Sequence, residues 1–144
     1  TTGLRFFTVY GPWYRPDMAM HIFADKISKG NDITVYNNGK MKRDFTFIDD
    51  IVNGTISAIE KNYDCEIFNL GNNKSEKLFD VINFIEAAIG RKAKINFQPI
   101  QPGDVLETYA DIDYSKEKLD YNPTTNINTG IKIFVKWFRE YYNV

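Results

Sequence analysis

Two kinds of hydrophobic spacing alternate along the chain. Short apolar runs bounded by Gly, Pro or Asn mark strands, and apolar positions three and four apart mark helices. LRFFTVY (4–10) is a continuous apolar run closed by Gly11-Pro12, the pattern of a strand buried in a parallel sheet. GPWYRP (11–16) is a loop. A helix then runs from Asp17, as its cap, to Lys29, with Gly30 as its stop. DITVY (32–36) and RDFTF (43–47) read as partner strands across the Asn37-Asn38-Gly39 turn. Ile51, Val52, Thr55, Ile56 and Ile59 share one face of a helix from 49 or 50 to 61. A strand at 65–71, an amphipathic helix at 78–90 and a strand at 94–99 follow. Residues 99–111 read as a loop with one short strand at most, and helices near 114–119 and 126–142 close the chain. This alternation predicts the α/β class.

Composition narrows the function. At 144 residues, 43% apolar and 15% aromatic, the chain can bury the core of a single domain, 1–144, and is not disordered. Its 18 basic and 19 acidic residues leave a net charge of -1, which argues against non-specific nucleic-acid binding. No apolar run approaches a membrane span, and no stretch has the order of a signal peptide. The lone Cys65 excludes an internal disulfide framework and fits a reducing cytoplasm. One cysteine and one histidine argue against zinc, and no metal site is expected.

Several familiar chemistries are missing. The nine glycines are dispersed, with no G-x-G-x-x-G to present amides to a pyrophosphate. A Ser-His-Asp triad would need His21, which lies inside a helical pattern and reads as a core or surface residue. Tyr36–Lys40 and Tyr114–Lys118 have the Tyr-x-x-x-Lys spacing that lets an ammonium lower a phenol's pKa on a helix face. The first spans turn residues and the second lies in a short charged segment, so both read as coincidences. Asp49 and Asp50 resemble paired catalytic acids, but a helix N-terminus accounts for them. Arg43, between a turn and a helix start, is either a surface charge or an anion ligand.

Four motifs occur in order: GLRFFTVYGPWYRPDMAM (3–20), GKMKRDFTFIDDIV (39–52), IFNLGN (67–72) and QPGDVLETYADI (101–112). Together they resemble the C-terminal part of the extended short-chain dehydrogenase/reductase nucleotide-sugar epimerases, nearest to the UDP-glucuronate 4-epimerases. The resemblance covers essentially the whole chain. It implies a longer enzyme whose NAD-binding Rossmann half, with the glycine motif and catalytic Tyr-x-x-x-Lys, precedes residue 1. Strands 4–9 and 66–70 would belong to that half's parallel sheet, and the remainder to the sugar-nucleotide domain. The implied reaction moves hydride from C4 of UDP-glucuronate to NAD and back to the other face of a 4-keto sugar, giving UDP-galacturonate.

The resemblance also assigns roles. Arg43 would bind the UDP diphosphate, with Asp44 as local structure or its partner. Ile33 and Val35 would present backbone to the uracil, and Tyr36 would stack on it, unless it is a half-buried hairpin residue. Asp104 would accept from the ribose hydroxyls, or is simply a turn residue. Gln101 stands where many relatives carry a second arginine. Thr8 and Arg15 would address the hexuronate carboxylate, or are a strand filler and a loop charge. Phe7 would contact the nicotinamide side, or is simply a buried strand residue. Met18 and Met20 face the pocket or pack the core. The chain alone would be inactive, would bind no NAD, and would self-associate through strand 4–9. The parent would be a cytoplasmic homodimer without nucleic-acid or membrane partners. Two alternatives stay open: a non-catalytic nucleotide-sugar binding module, and half of a related UDP- or dTDP-sugar dehydratase or decarboxylase.

Overall fold

The computed structural model describes residues 1–144. Seven strands and five helices alternate, as the periodicities predict for the α/β class, and the arrangement is Rossmann-like as the resemblance implies. The strands are β1 (Thr2–Phe6), β2 (Thr8–Tyr10), β3 (Asp32–Tyr36), β4 (Lys42–Phe47), β5 (Glu66–Leu70), β6 (Ser75–Lys77) and β7 (Lys94–Gln98). The helices are α1 (Ala19–Lys29), α2 (Ile48–Lys61), α3 (Leu78–Ile89), α4 (Asp113–Leu119) and α5 (Ile127–Tyr142).

The strands form three small sheets. β1 pairs in parallel with β5, β2 in parallel with β4, and β3 in parallel with β7, while β6 runs antiparallel on β4. The continuous buried strand expected at 4–10 is therefore two strands broken at Phe7, each joined to a different sheet. The first is not fully buried, since Phe6 is 52% exposed. The hairpin of 32–36 with 43–47 is also overturned. Asn37, Asn38 and Gly39 all take positive φ in a 3-10 turn. That turn and the residues after it are too long for a two-residue hairpin loop, and each strand finds its partner elsewhere.

Most of the core is one cluster built from α1, β3, β4, α3 and α5, with Met20, Ile27, Ile33, Val35, Phe134 and Phe138 almost wholly buried. A smaller cluster lies between α2, β5 and α4, around Phe68, Leu70 and Leu119. Helix ends follow local rules. Gly30 and Gly90 end α1 and α3 in the left-handed region, and Asn126 caps α5 by accepting from the Thr129 amide at 2.9 Å. Asp17 is not the cap of α1. Met18 takes that position without a side-chain bond, because the Asp17 carboxylate is engaged by Arg15.

Two consequences are testable. A Cβ on Gly39, which has φ +72°, would lie 2.1 Å from the Phe79 ring. Left-handed strain and overpacking together predict that Gly39→Ala costs about 2–4 kcal/mol. A denaturant midpoint within error of the parent's would refute this. The second concerns alkaline pH. Burial raises the pKa of Tyr10, Tyr14 and Tyr121 well above the ordinary 10.0. Folding holds these phenols neutral, so their contribution is complete below about pH 10 and is lost as pH rises further, where the unfolded chain ionises first. Three of the nine tyrosines should ionise only as secondary structure melts. Tyrosinate absorbance that saturates before the circular dichroism changes would show otherwise.

Candidate functional site

β2 and β4 lie side by side, with Thr8 opposite Phe45, at the floor of two adjoining cavities. One, of about 630 Å³, is walled by Phe6, Phe7 and the loop from Gly11 to Arg15. The other, of about 510 Å³, lies between α1, β3 and β4. Thr8, Tyr14 and Met18 line both, so the two spaces share a wall. Each is in the size range of small-molecule sites.

The second cavity collects most of the candidates. β3 turns Ile33 and Val35 into the core, both 0% exposed, and the strand's alternation therefore turns Thr34 and Tyr36 to the opposite face, where both line the cavity. The backbone of Ile33 and Val35 still matters, because β3 is bonded to β7 on one edge only. Arg43 projects from β4. Its guanidinium donates to the Lys42 carbonyl at 2.8 Å and to Asp104 Oδ1 at 2.8 Å. Asp104, 61 residues away in sequence, reaches this place because the segment after it runs beside β4. The Lys42 amide donates to the Leu106 carbonyl, and the Thr108 amide to the Lys42 carbonyl.

Asp44 supports this arrangement from beneath. It is fully buried and is not an arginine partner. Its carboxylate accepts from the amides of Asn72 (2.7 Å), Lys74 (3.3 Å) and Ala110 (3.0 Å), and lies 3.3 Å from the Thr46 hydroxyl. Asp50, in the first turn of α2, does more than stabilise a helix end. It accepts from the Thr124 and Thr125 amides, each at 3.1 Å, and so holds the segment leading to α5.

The first cavity carries Thr8, Phe7 and Arg15. The Arg15 side chain is 74% exposed and bonded to Asp17. That bond holds the guanidinium pKa above, and the Asp17 pKa below, their usual values. An exposed pair of this kind is easily exchanged for another anion. Trp13, 72% exposed with φ +64°, packs against Trp137 and Tyr141 and so fixes the loop that carries Arg15.

Gln101 is exposed and lines neither cavity; its carbonyl takes the Asp104 amide in a turn. Met18 faces the cavities, whereas Met20 is in the core. His21 is a core residue, with Nδ1 3.2 Å from the Tyr14 carbonyl and its ring against Phe138 and Tyr142. Tyr114 does lie on a helix with Lys118, but the hydrogen bond with Glu66 raises its pKa, the reverse of activation. Thr34, Lys26 and Leu78 line the second cavity and were missed, because each reads as an ordinary member of its own element.

Residues 1–71 match the NAD dependent epimerase/dehydratase family. The chain is 54% identical over 138 residues to an uncharacterized protein of Methanocaldococcus jannaschii, covering 96% of this chain and 42% of that protein. It is 42% identical over 159 residues to UDP-glucuronate 4-epimerase 4 of Arabidopsis thaliana, covering 99% of this chain and 36% of the relative. The solved structure of UDP-glucuronic acid 4-epimerase from Bacillus cereus, in complex with UDP-glucuronic acid and NAD, superposes with a TM-score of 0.91 at 35% identity. That match covers 96% of this chain and 45% of the other. The first 71 residues thus carry the match to the epimerase/dehydratase family. The chain is similar to UDP-glucuronate 4-epimerases along nearly all its residues, and spans under half the length of these relatives.

Proposed function

We propose that these 144 residues are the UDP-sugar binding half of an NAD-dependent nucleotide-sugar epimerase that interconverts UDP-glucuronate and UDP-galacturonate at C4. The observation that carries this is the meeting of Thr8, Tyr36, Arg43 and Asp104, from three strands and a distant loop, around one cavity. Arg43 clamps the diphosphate with donors in a planar fork. Tyr36 stacks on the uracil, and the open edge of β3 offers backbone groups to its polar edge. Asp104 gives up part of its bond to Arg43 and accepts from the ribose hydroxyls. The sugar extends past Thr8 into the first cavity, where Thr8 and Arg15 donate to the hexuronate carboxylate. This grip on UDP leaves the sugar free to turn over between the two faces.

NAD belongs to the longer protein in this reading, and when bound it would supply the hydride acceptor and donor for C4. The residues present fit one end of it only. The half-buried Phe7 offers an apolar wall to the nicotinamide side, whereas the chain has no glycine motif to cradle a pyrophosphate. No helix is long and apolar enough to cross a membrane, and we place the parent enzyme in the cytoplasm as a homodimer. The open edge of β1 is available for self-association of the isolated chain.

Calorimetric titration of the purified chain with UDP and UDP-glucuronate tests this function. Saturable binding of both is expected, with no turnover even when NAD is added. Epimerisation by the pure chain, or binding of neither ligand, would overturn the reading.

A further inference from the structure

Lys26 is unexplained by any role assigned so far. It lies on the face of α1 that lines the second cavity, with Met18, Ile22 and Phe23. It is half-buried and has no ion-pair partner, whereas Arg43, the other cation on this wall, is held by Asp104. Lys26 is eight residues past Met18, about 12 Å farther along the helix. α1 turns back into β3 through Gly30 and Asn31, so its last turns lie beside the beginning of that strand. Lys26 and Thr34 thus line the part of the cavity that α1 reaches farther from Met18, which with Thr8 borders both cavities. Arg43, two positions before the Phe45 that pairs with Thr8, lines the same cavity.

Resting on the reading that this cavity holds UDP, we infer that Lys26 reads the base and makes the site selective for uracil over cytosine. A diphosphate at Arg43, with the sugar toward Thr8, sends the base toward Thr34 and Lys26. An ammonium has three donors and no acceptor. Uracil presents carbonyl acceptors at O2 and O4. Cytosine replaces O4 by an amino group, which sets donor against donor. Desolvation within a half-closed cavity sharpens that choice, because a polar group left unpaired there is costly.

The test titrates UDP and CDP into the parent chain and into Lys26→Met, Lys26→Arg and Arg43→Ala, with thermal melts as a control on folding. The parent should prefer UDP by about tenfold or more. Lys26→Met should shrink that preference to within about threefold, mainly by weakening UDP, and Lys26→Arg should restore much of it because it keeps donors. Arg43→Ala should weaken both nucleotides alike. Equal loss of UDP and CDP in Lys26→Met would assign Lys26 to the phosphates and overturn the inference. So would a parent that binds both equally, although UDP binding would then stand. Binding of neither by the folded parent would bring down the functional reading and this inference with it.

Discussion

Asp44→Ala is expected to cost about 3–5 kcal/mol of folding stability, a large part of what holds a domain of this size together. The carboxylate is fully buried, and three backbone amides from two separate segments converge on it. Alanine would orphan all three donors. Each buried donor left without a partner costs about 1–3 kcal/mol. Local collapse and entering water would recover some of that, which brings the sum down to the range given. Asp44→Asn keeps the volume but turns one acceptor into a donor that faces amide hydrogens, so it should also destabilise. Denaturant unfolding measures both. A loss below about 1 kcal/mol for Asp44→Ala would mean that the amides find other partners. Because Ala110 and the segment carrying Asp104 are tied to β4 here, the folded fraction should also bind UDP more weakly.

Arg43→Ala should leave the fold standing and weaken UDP binding about 10- to 100-fold. A hydrogen bond to a charged group contributes about 1.5–3 kcal/mol, and about 1.4 kcal/mol is a factor of ten. The guanidinium is only partly exposed, and its bonds to the Lys42 carbonyl and Asp104 hold it in position before any ligand arrives. Removing it also leaves the Asp104 carboxylate facing the diphosphate without a counter-charge. A second substitution, Asp104→Asn, should therefore restore part of the affinity in the Arg43→Ala background. Arg43→Lys should recover less than the full affinity, since an ammonium is a point charge without the fork. Unchanged UDP affinity in Arg43→Ala, with an unchanged melting curve, would remove Arg43 from the site.

Helices were the most legible part of the chain. The α3 and α5 boundaries fall within a residue or two of their patterns, because a glycine stop and an asparagine cap act through the nearest turn of backbone. Strand pairing was less legible. β6, Ser-Glu-Lys, has no apolar run to announce it and exists because Arg43 and Asp44 on β4 offer it a partner edge. The break at Phe7 is invisible in LRFFTVY, since both halves are apolar and only the neighbouring strands differ. Among the candidate site residues, Thr8, Tyr36, Arg43 and Asp104 share one cavity, but Gln101 stays in its turn. Motifs named the first four one at a time, without saying that they meet.

By itself, then, the sequence determined the α/β class, most element types and most helix ends, since these depend on spacing and caps within a few residues. Only the tertiary structure decided that β3 and β4 part company, that Asp44 ties two loops to the sheet, and that Lys26 joins Thr34 in lining one cavity. Those outcomes depend on which distant segments compete for the same strand edges and the same buried donors, a competition that no local pattern records.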